Sequence, residues 1–208
     1  MARPAELETV RERIVDRIFT RKAKVGPLNE SALAQAVGTS RIPVREALLT
    51  LPNLVSKSGG RGFELRPLDP REVREIFPTI GSPECLALGF NFEQHTEPLL
   101  ARLRKLIERL RVAANPASAL AADGAWHSAL LSGCKNQRLL KIVSDLKLVA
   151  RRYDLHHWTS AKLLEKSVAQ HEATVAHLEA GDRSAAKNVL FDNWMGGCAA
   201  IAEILQYP

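Results

Sequence analysis

The sequence predicts a mainly α-helical protein of two domains, a small N-terminal one with a β-hairpin and a larger C-terminal helical bundle. Two short helical segments joined by a glycine-containing turn come before two apolar segments that flank Gly59-Gly60. After Pro67 the chain shows helical periodicity without strand alternation. Positive charge is concentrated in the first domain, with 12 Lys/Arg against 7 Asp/Glu through Arg66 and 17 against 16 thereafter. Such asymmetry indicates that the first segment meets a polyanion.

The predicted first domain, residues 1–66, begins with a helix from about Glu6 to Arg21. Asn29 is a typical N-cap for a second helix, ESALAQAV, and Gly38 is a typical residue after a helix C-terminus. The apolar stripe of the first helix consists of Val10, Ile14, Ile18 and Phe19.

A third helix follows after Thr39 or Ser40 and runs to about Leu51, with Pro43 in its first turn. The spacing predicts that it buries Val44, Leu48 and Leu51. Strands at 54–55 and 63–65 are expected around the glycine turn. A helix-turn-helix followed by a hairpin is a winged helix-turn-helix.

Arg41 and Arg45 lie four residues apart and share one face at the start of the third helix. Binding to a membrane surface would require large apolar residues beside them, and we expect this stretch to bury those residues instead. In a helix-turn-helix the second helix enters the major groove with its N-terminal residues on the base edges. We therefore expect one arginine to contact guanine and the other a phosphate.

The segment LNESALAQAVGTSRIPVREALLTL, followed by LVSKSGGRGFEL, closely resembles the winged-helix regulators of the GntR type. Their pattern is roughly L-x-E-x-x-L-A-x-x-L-G-V-S-R-x-P-V-R-E-A-L, then a G-R-G-F wing. Ser31 stands where some members have a phosphate-binding arginine, and LPNLV is shorter than the usual approach to the wing. The resemblance implies contact with double-stranded DNA through Ser40, Arg41, Pro43, Arg45, Arg61 and Gly62.

The predicted second domain, residues 67–208, is an antiparallel helical bundle. Asp69 caps a helix that starts at Pro70, but the run from Gly81 to Pro83 is expected to kink or interrupt it. Next comes the amphipathic segment EPLLARLRKLIERLRVAA, whose arginines are expected in solvent. Its core stripe is Leu99, Leu103, Leu106, Ile107 and Leu110. Further helices are predicted at about 117–133, 136–158, 161–180 and 182–205.

Asp123 and His127, in AADGAWHSALL, are four residues apart on one helix, so both can reach a single ion. A carboxylate and an imidazole suit Zn, Ni, Mn or Fe(II), although D-x-x-x-H is common by chance. The domain resembles the C-terminal domain of the FadR/FCD branch of GntR regulators, and the resemblance implies His171 and Asn193 as further ligands. At Asn193 the family has a histidine, a stronger ligand. The remaining histidines are expected to be structural: His95, His156, His157 and His177.

The leading interpretation is a homodimeric transcription regulator, a repressor of a metabolic operon that binds a palindromic operator. The resemblance implies a small-molecule effector, commonly an organic acid beside a divalent metal. The family arginine that holds such an acid is replaced near Gly81, so Arg151, Arg152 or the metal would serve. One alternative is a DNA-binding regulator with a vestigial sensor site. The other is a metal-dependent enzyme, since two histidines and a carboxylate resemble the facial triad of non-haem iron oxygenases.

The expected location is the cytoplasm. No apolar run approaches the ~20 residues of a membrane span, and the charged N-terminus lacks a signal-peptide core. The three cysteines are widely separated and form no CxxC pair, which favours reduced thiols.

Overall fold

The computed structural model describes residues 4–20, 25–52, 54–60, 62–90 and 96–206; of residues 4–6, 19–20 and 155–157 it describes the backbone only. The chain divides into two compact units, Met1–Leu68 and Asp69–Pro208. Within the described part, no helix combines the length and the apolar character needed to cross a membrane. Some side chains named in the predictions fall outside the part that the structure describes: those of Phe19, Arg61, His95, His156 and His157.

The first unit is a three-helix cluster with a small sheet, as the sequence predicts. The first helix buries Val10, Ile14 and Ile18 against the other two. The elements are α1 (Pro4–Thr20), β1 (Gly26–Pro27), α2 (Glu30–Val37), α3 (Arg41–Leu49), β2 (Val55–Lys57) and β3 (Phe63–Leu65).

The turn between α2 and α3 is specified by its capping residues. The Asn29 side chain accepts a hydrogen bond from the Ala32 N–H at 2.9 Å, which starts α2. Gly38 ends this helix in the left-handed region, at φ 74°, where a side chain would be strained. Ser40 occupies the N-cap position of α3, but its side chain makes no capping hydrogen bond.

The sheet has three antiparallel strands in the order β1-β3-β2. The hairpin strands pair Val55 with Leu65 and Lys57 with Phe63, so the first one begins one residue later than predicted. The additional strand, β1, was not predicted because two residues, one of them proline, carry no alternation pattern. It pairs Gly26 with Leu65, and it fixes the chain entering α2 to the wing.

The second unit is a bundle of six described helices. Its core is formed by leucines and alanines around Trp126, which is fully buried. On α5, the buried stripe includes Leu100, whereas the predicted Leu99 is only partly buried. The helices are α4 (Pro70–Phe90), α5 (Glu97–Arg111), α6 (Pro116–Leu130), α7 (Gln137–His157), α8 (Ala161–Glu179) and α9 (Arg183–Gln206).

The expected interruption of α4 is wrong, because this helix runs unbroken through Pro78 and Pro83. The Asp69 carboxylate caps it by accepting the Arg71 N–H at 2.8 Å. Each proline removes one helical hydrogen bond. However, α4 packs along α9 and α7 and buries a full apolar face. This packing outweighs the local preference to break, as tertiary contacts commonly do.

Candidate nucleic-acid interface and metal centre

A cleft of about 620 Å³ separates the recognition helix α3 from the wing. One wall carries Arg41 and Arg45, and the opposite wall carries Lys57, Gly60 and Gly62. The remaining lining residues are Glu30, Leu49 and Phe63. The cleft thus combines a helix N-terminus, basic side chains and a glycine-rich hairpin that lets another backbone approach closely.

Arg45 connects three elements of the winged helix. Its Nη1 donates to both carboxylate oxygens of Glu30 at 2.8 Å, and its guanidinium lies 5.4 Å from the Phe63 ring centroid. Glu30 is buried, and Arg41 is farther from it, with Nη2 at 3.7 Å. Arg45 therefore links α2, α3 and β3, whereas Arg41 extends further from this cluster.

Of the predicted DNA-contacting residues, Arg41, Arg45 and Gly62 line this cleft. Ser40 is exposed at the N-cap of α3, Pro43 is half-buried in its first turn, and Gly62 lines the cleft. Arg61 falls outside the described residues.

The expectation that α3 buries its large apolar residues is correct for Val44 and Leu48 but wrong for two others. Ile42 and Leu49 are exposed. These two positions lie on the side of α3 opposite Val44, Ala47 and Leu48, which are the residues that this helix buries.

Asp123, His127 and His171 converge in the helical bundle, with one ligand atom of each within 4.8 Å of the others. The Asp123 Oδ1 atom lies 2.8 Å from His171 Nε2 and 3.7 Å from His127 Nε2. Two residues come from α6 and the third from α8. Trp126 stacks on the His171 ring, with 3.7 Å between centroids and a 5° interplanar angle. This stacking fixes the plane in which His171 presents its nitrogens.

Glu84, on α4, is a site residue that sequence reasoning missed. It is fully buried, and its Oε2 lies 2.8 Å from His127 Nδ1 and 2.8 Å from Trp194 Nε1. Lys147 Nζ contacts the other oxygen, Oε1. The sequence offers one signal for Glu84, which is its place among the apolar residues of PECLAL. A carboxylate buried on an apolar helix face normally has charged or hydrogen-bonding partners, so this position indicates a polar cluster.

The protonation states around Glu84 follow from these contacts. Burial alone would raise the pKa of Glu84, but His127 and Lys147 outweigh it and hold the pKa well below its usual range. The ionised carboxylate can only accept, so Nδ1 of His127 carries a proton. The other nitrogen, Nε2, therefore faces Asp123 and is the one available as a ligand.

Burial and neighbouring charges also shift the pKa values of the other titratable groups near this cluster. Burial opposes ionisation of Asp123, yet His127, His171 and Lys147 lower its pKa overall. Burial lowers the pKa of His171 although Asp123 acts against it, which favours the neutral ring. On α7, burial and the nearby Asp123 raise the pKa of Asp154 to about 8, so this group stays protonated at neutral pH.

The other predicted sensor residues, Asn193, Arg151 and Arg152, each make different contacts. The Asn193 amide nitrogen donates to Gln170 Oε1 at 3.1 Å. Arg151 lines a cavity of about 360 Å³ between α6 and α7, together with His127 and Lys147. Arg152 is buried, with its guanidinium 5.0 Å from the Tyr153 ring centroid.

Comparison with known proteins defines the class as winged-helix transcription regulators. The FCD domain model matches residues 83–192, more than half of the chain. The HTH-type transcriptional regulator YdhC of Bacillus subtilis is 23% identical over 196 residues, 91% of this chain and 88% of its own length. A "Probable D-xylose utilization operon transcriptional repressor" of Paenarthrobacter nicotinovorans is 26% identical, covering 91% and 86%. The structure of E. coli McbR/YncC superimposes with a TM-score of 0.81 at 22% identity, covering 97% of this chain and 98% of that one.

The chain belongs to the FCD family of GntR-type transcription regulators. The predicted fold class, a winged helix-turn-helix followed by a helical bundle, is confirmed by both the structure and this superposition. The prediction that the protein is not an enzyme is confirmed too, since its relatives are transcription regulators. The facial-triad alternative is thereby set aside.

Proposed function

We propose that the protein is a ligand-responsive repressor that binds a palindromic operator as a homodimer and senses a small organic acid beside a divalent metal. The observation that carries the sensing part is the cluster of Asp123 with the buried His127 and His171 in the unit that follows the winged helix. Repression is supported by the name of the Paenarthrobacter relative, which describes a repressor of a sugar-utilisation operon.

The donor set fits a transition metal in several respects. Two imidazoles and one carboxylate suit Zn, Ni, Mn or Fe(II), and no thiolate is among them. A metal-ligating histidine typically donates its second N–H to a carboxylate, and Glu84 provides this partner for His127. Asn193 would serve as a weak fourth ligand, or water would fill that position.

An acid effector fits the cavity between α6 and α7. Lys147 and Arg151 bring positive charge to its wall, and Ser128 and Ser144 bring hydroxyl groups. Such a ligand would lie beside His127 and would contact two helices at once. Effector binding would shift the population between DNA-binding and non-binding states, because any ligand favours the state it binds more tightly.

The proposal predicts a specific genomic operator. Purified full-length protein is incubated at moderate salt with fragments of the source genome, in the presence of zinc or EDTA, and bound fragments are sequenced. We expect an enriched palindrome upstream of a metabolic gene cluster, and release of that fragment by a small organic acid. His171→Ala is expected to lose this release, while His177→Ala, on the same helix, retains it.

Two results would contradict the proposal, one for operator binding and the other for acid sensing. A folded protein that enriches no sequence under either condition would refute operator binding. Operator binding that no organic acid alters, in protein shown to bind metal, would leave a regulator without acid sensing and so support the vestigial alternative.

A further inference from the structure

The recognition helix presents an apolar side chain between its two arginines. Ile42 lies in the first turn of α3 and has 66% of its surface exposed. The same helix buries Val44, Ala47 and Leu48 completely, so Ile42 projects from the opposite face. Leu49, seven residues on, lies on this outward stripe and is 56% exposed.

Most of the Ile42 side chain is exposed, so little of it is buried in the core of the winged helix. A β-branched residue in a helix is held close to one χ1 rotamer, so this apolar group is rigid as well as exposed. It stands at the helix end whose side chains contact base edges in helix-turn-helix proteins. We therefore expect the apolar side chain of Ile42 to contact an apolar group on a DNA base.

In the major groove that group is the C5-methyl of thymine, which side chains such as alanine, threonine and phenylalanine contact. We propose that Ile42 is a specificity-determining residue that contacts a thymine methyl in each half-site, next to the base pair contacted by Arg41. The inference rests on the operator binding proposed above. The inference adds one base to the predicted operator. The two arginines favour guanine and phosphate and so do not select a thymine.

Ile42 fits this role better than Leu49. Leu49 lies in the last turn of α3 and lines the cleft that faces the wing, beside Phe63. Leu49 therefore lies on the same outward stripe but at the end of the helix beside the hairpin, whereas Ile42 lies at the N-terminal end. Arg41, its neighbour in the chain, extends from the same turn.

The test replaces each thymine of the enriched operator, one at a time, by uracil, which lacks only the methyl group. Affinity is measured at one fixed salt concentration for the wild type, for Ile42→Ala and for Ile142→Ala. The last variant is a matched control, because Ile142 is 52% exposed on α7 of the helical unit. We expect the wild type and Ile142→Ala to lose about fourfold for one uracil in a half-site, the factor for one buried carbon. Ile42→Ala is expected to bind the thymine and uracil duplexes alike, because at this position the alanine Cβ falls short of the methyl group that the longer isoleucine side chain reaches.

Each other result overturns the inference. It is wrong if the wild type binds its operator but no uracil weakens binding, or if the operator has no thymine within its half-sites. It is equally wrong if Ile42→Ala keeps the wild-type preference for thymine. Absence of any operator binding by the folded wild type is a different failure, which refutes the proposed function itself.

Discussion

At the scale of single residues, Glu84 determines how the candidate metal centre is held. An isolated buried carboxylate is strongly unfavourable, and this one is compensated by His127, Trp194 and Lys147. These contacts come from three different helices. The same carboxylate therefore joins α4, α6, α7 and α9, and it selects the nitrogen that His127 presents to Asp123.

Glu84→Gln is expected to weaken zinc binding by roughly 10-fold to 100-fold, the usual effect of losing a carboxylate behind a metal-binding histidine. The neutral amide accepts more weakly from His127 and leaves the Lys147 ammonium without its counter-charge. Zinc affinity is measured by competition with a chromogenic chelator. Glu165→Gln, an exposed carboxylate on α8, serves as the control and should bind zinc like the wild type. Equal affinities in the two variants would show that Glu84 does not support the site.

At the scale of elements, Gly81 shows how a single small residue determines the packing of α4 against α9. A Cβ added at Gly81 would lie 3.1 Å from Phe191 Cδ2 and 3.1 Å from Trp194 Cβ. The glycine thus lets α9 approach α4 closely, and any larger side chain here would have to displace Phe191 or Trp194. Trp194 is in turn fixed by its hydrogen bond to Glu84.

Gly81→Ala is therefore expected to destabilise the helical unit by about 1 kcal/mol. The gain in helix propensity, about 1 kcal/mol, is outweighed by overpacking, which costs about 1–3 kcal/mol. Gly124→Ala makes the same change on α6, where an added Cβ meets nothing within 4 Å. It should stabilise by about 0.5–1 kcal/mol. Urea unfolding of both variants in EDTA measures the difference, and stabilisation by both substitutions would refute the close α4–α9 contact.

The elements that could be predicted from the sequence are those specified by local signals. Asn29 and Gly38 mark the ends of α2 by capping chemistry, and the hairpin follows from its glycines and flanking apolar residues. Features that depend on distant partners were not predictable. The continuity of α4 depends on its packing along α9, and the role of Glu84 depends on side chains 43 and 110 residues away. Asp123 and His127 were found because their spacing is local, and His171 because of the family resemblance.

At the scale of the whole molecule, the two units carry different chemistry. Most of the net positive charge belongs to the first third of the chain, and the candidate ligand cluster belongs to the second unit. A ligand that binds only the folded form of one unit stabilises that unit, by RT ln(1 + [L]/Kd). Metal binding should therefore raise the unfolding temperature of the helical unit and leave that of the winged-helix unit unchanged.

Zinc at about 100 times its Kd is expected to stabilise the helical unit by about 2.7 kcal/mol, a rise in its unfolding temperature of roughly 10 °C. The winged-helix unit contains none of the three ligands, so its transition should not move. Differential scanning calorimetry of the full chain, with zinc or with EDTA, separates the two cases. His171→Ala should abolish the shift, and His177→Ala, outside the cluster, should retain it. A shift that survives His171→Ala would place the stabilising ion elsewhere, and then the cluster of Asp123, His127 and His171 could no longer be assigned as the metal centre of this regulator.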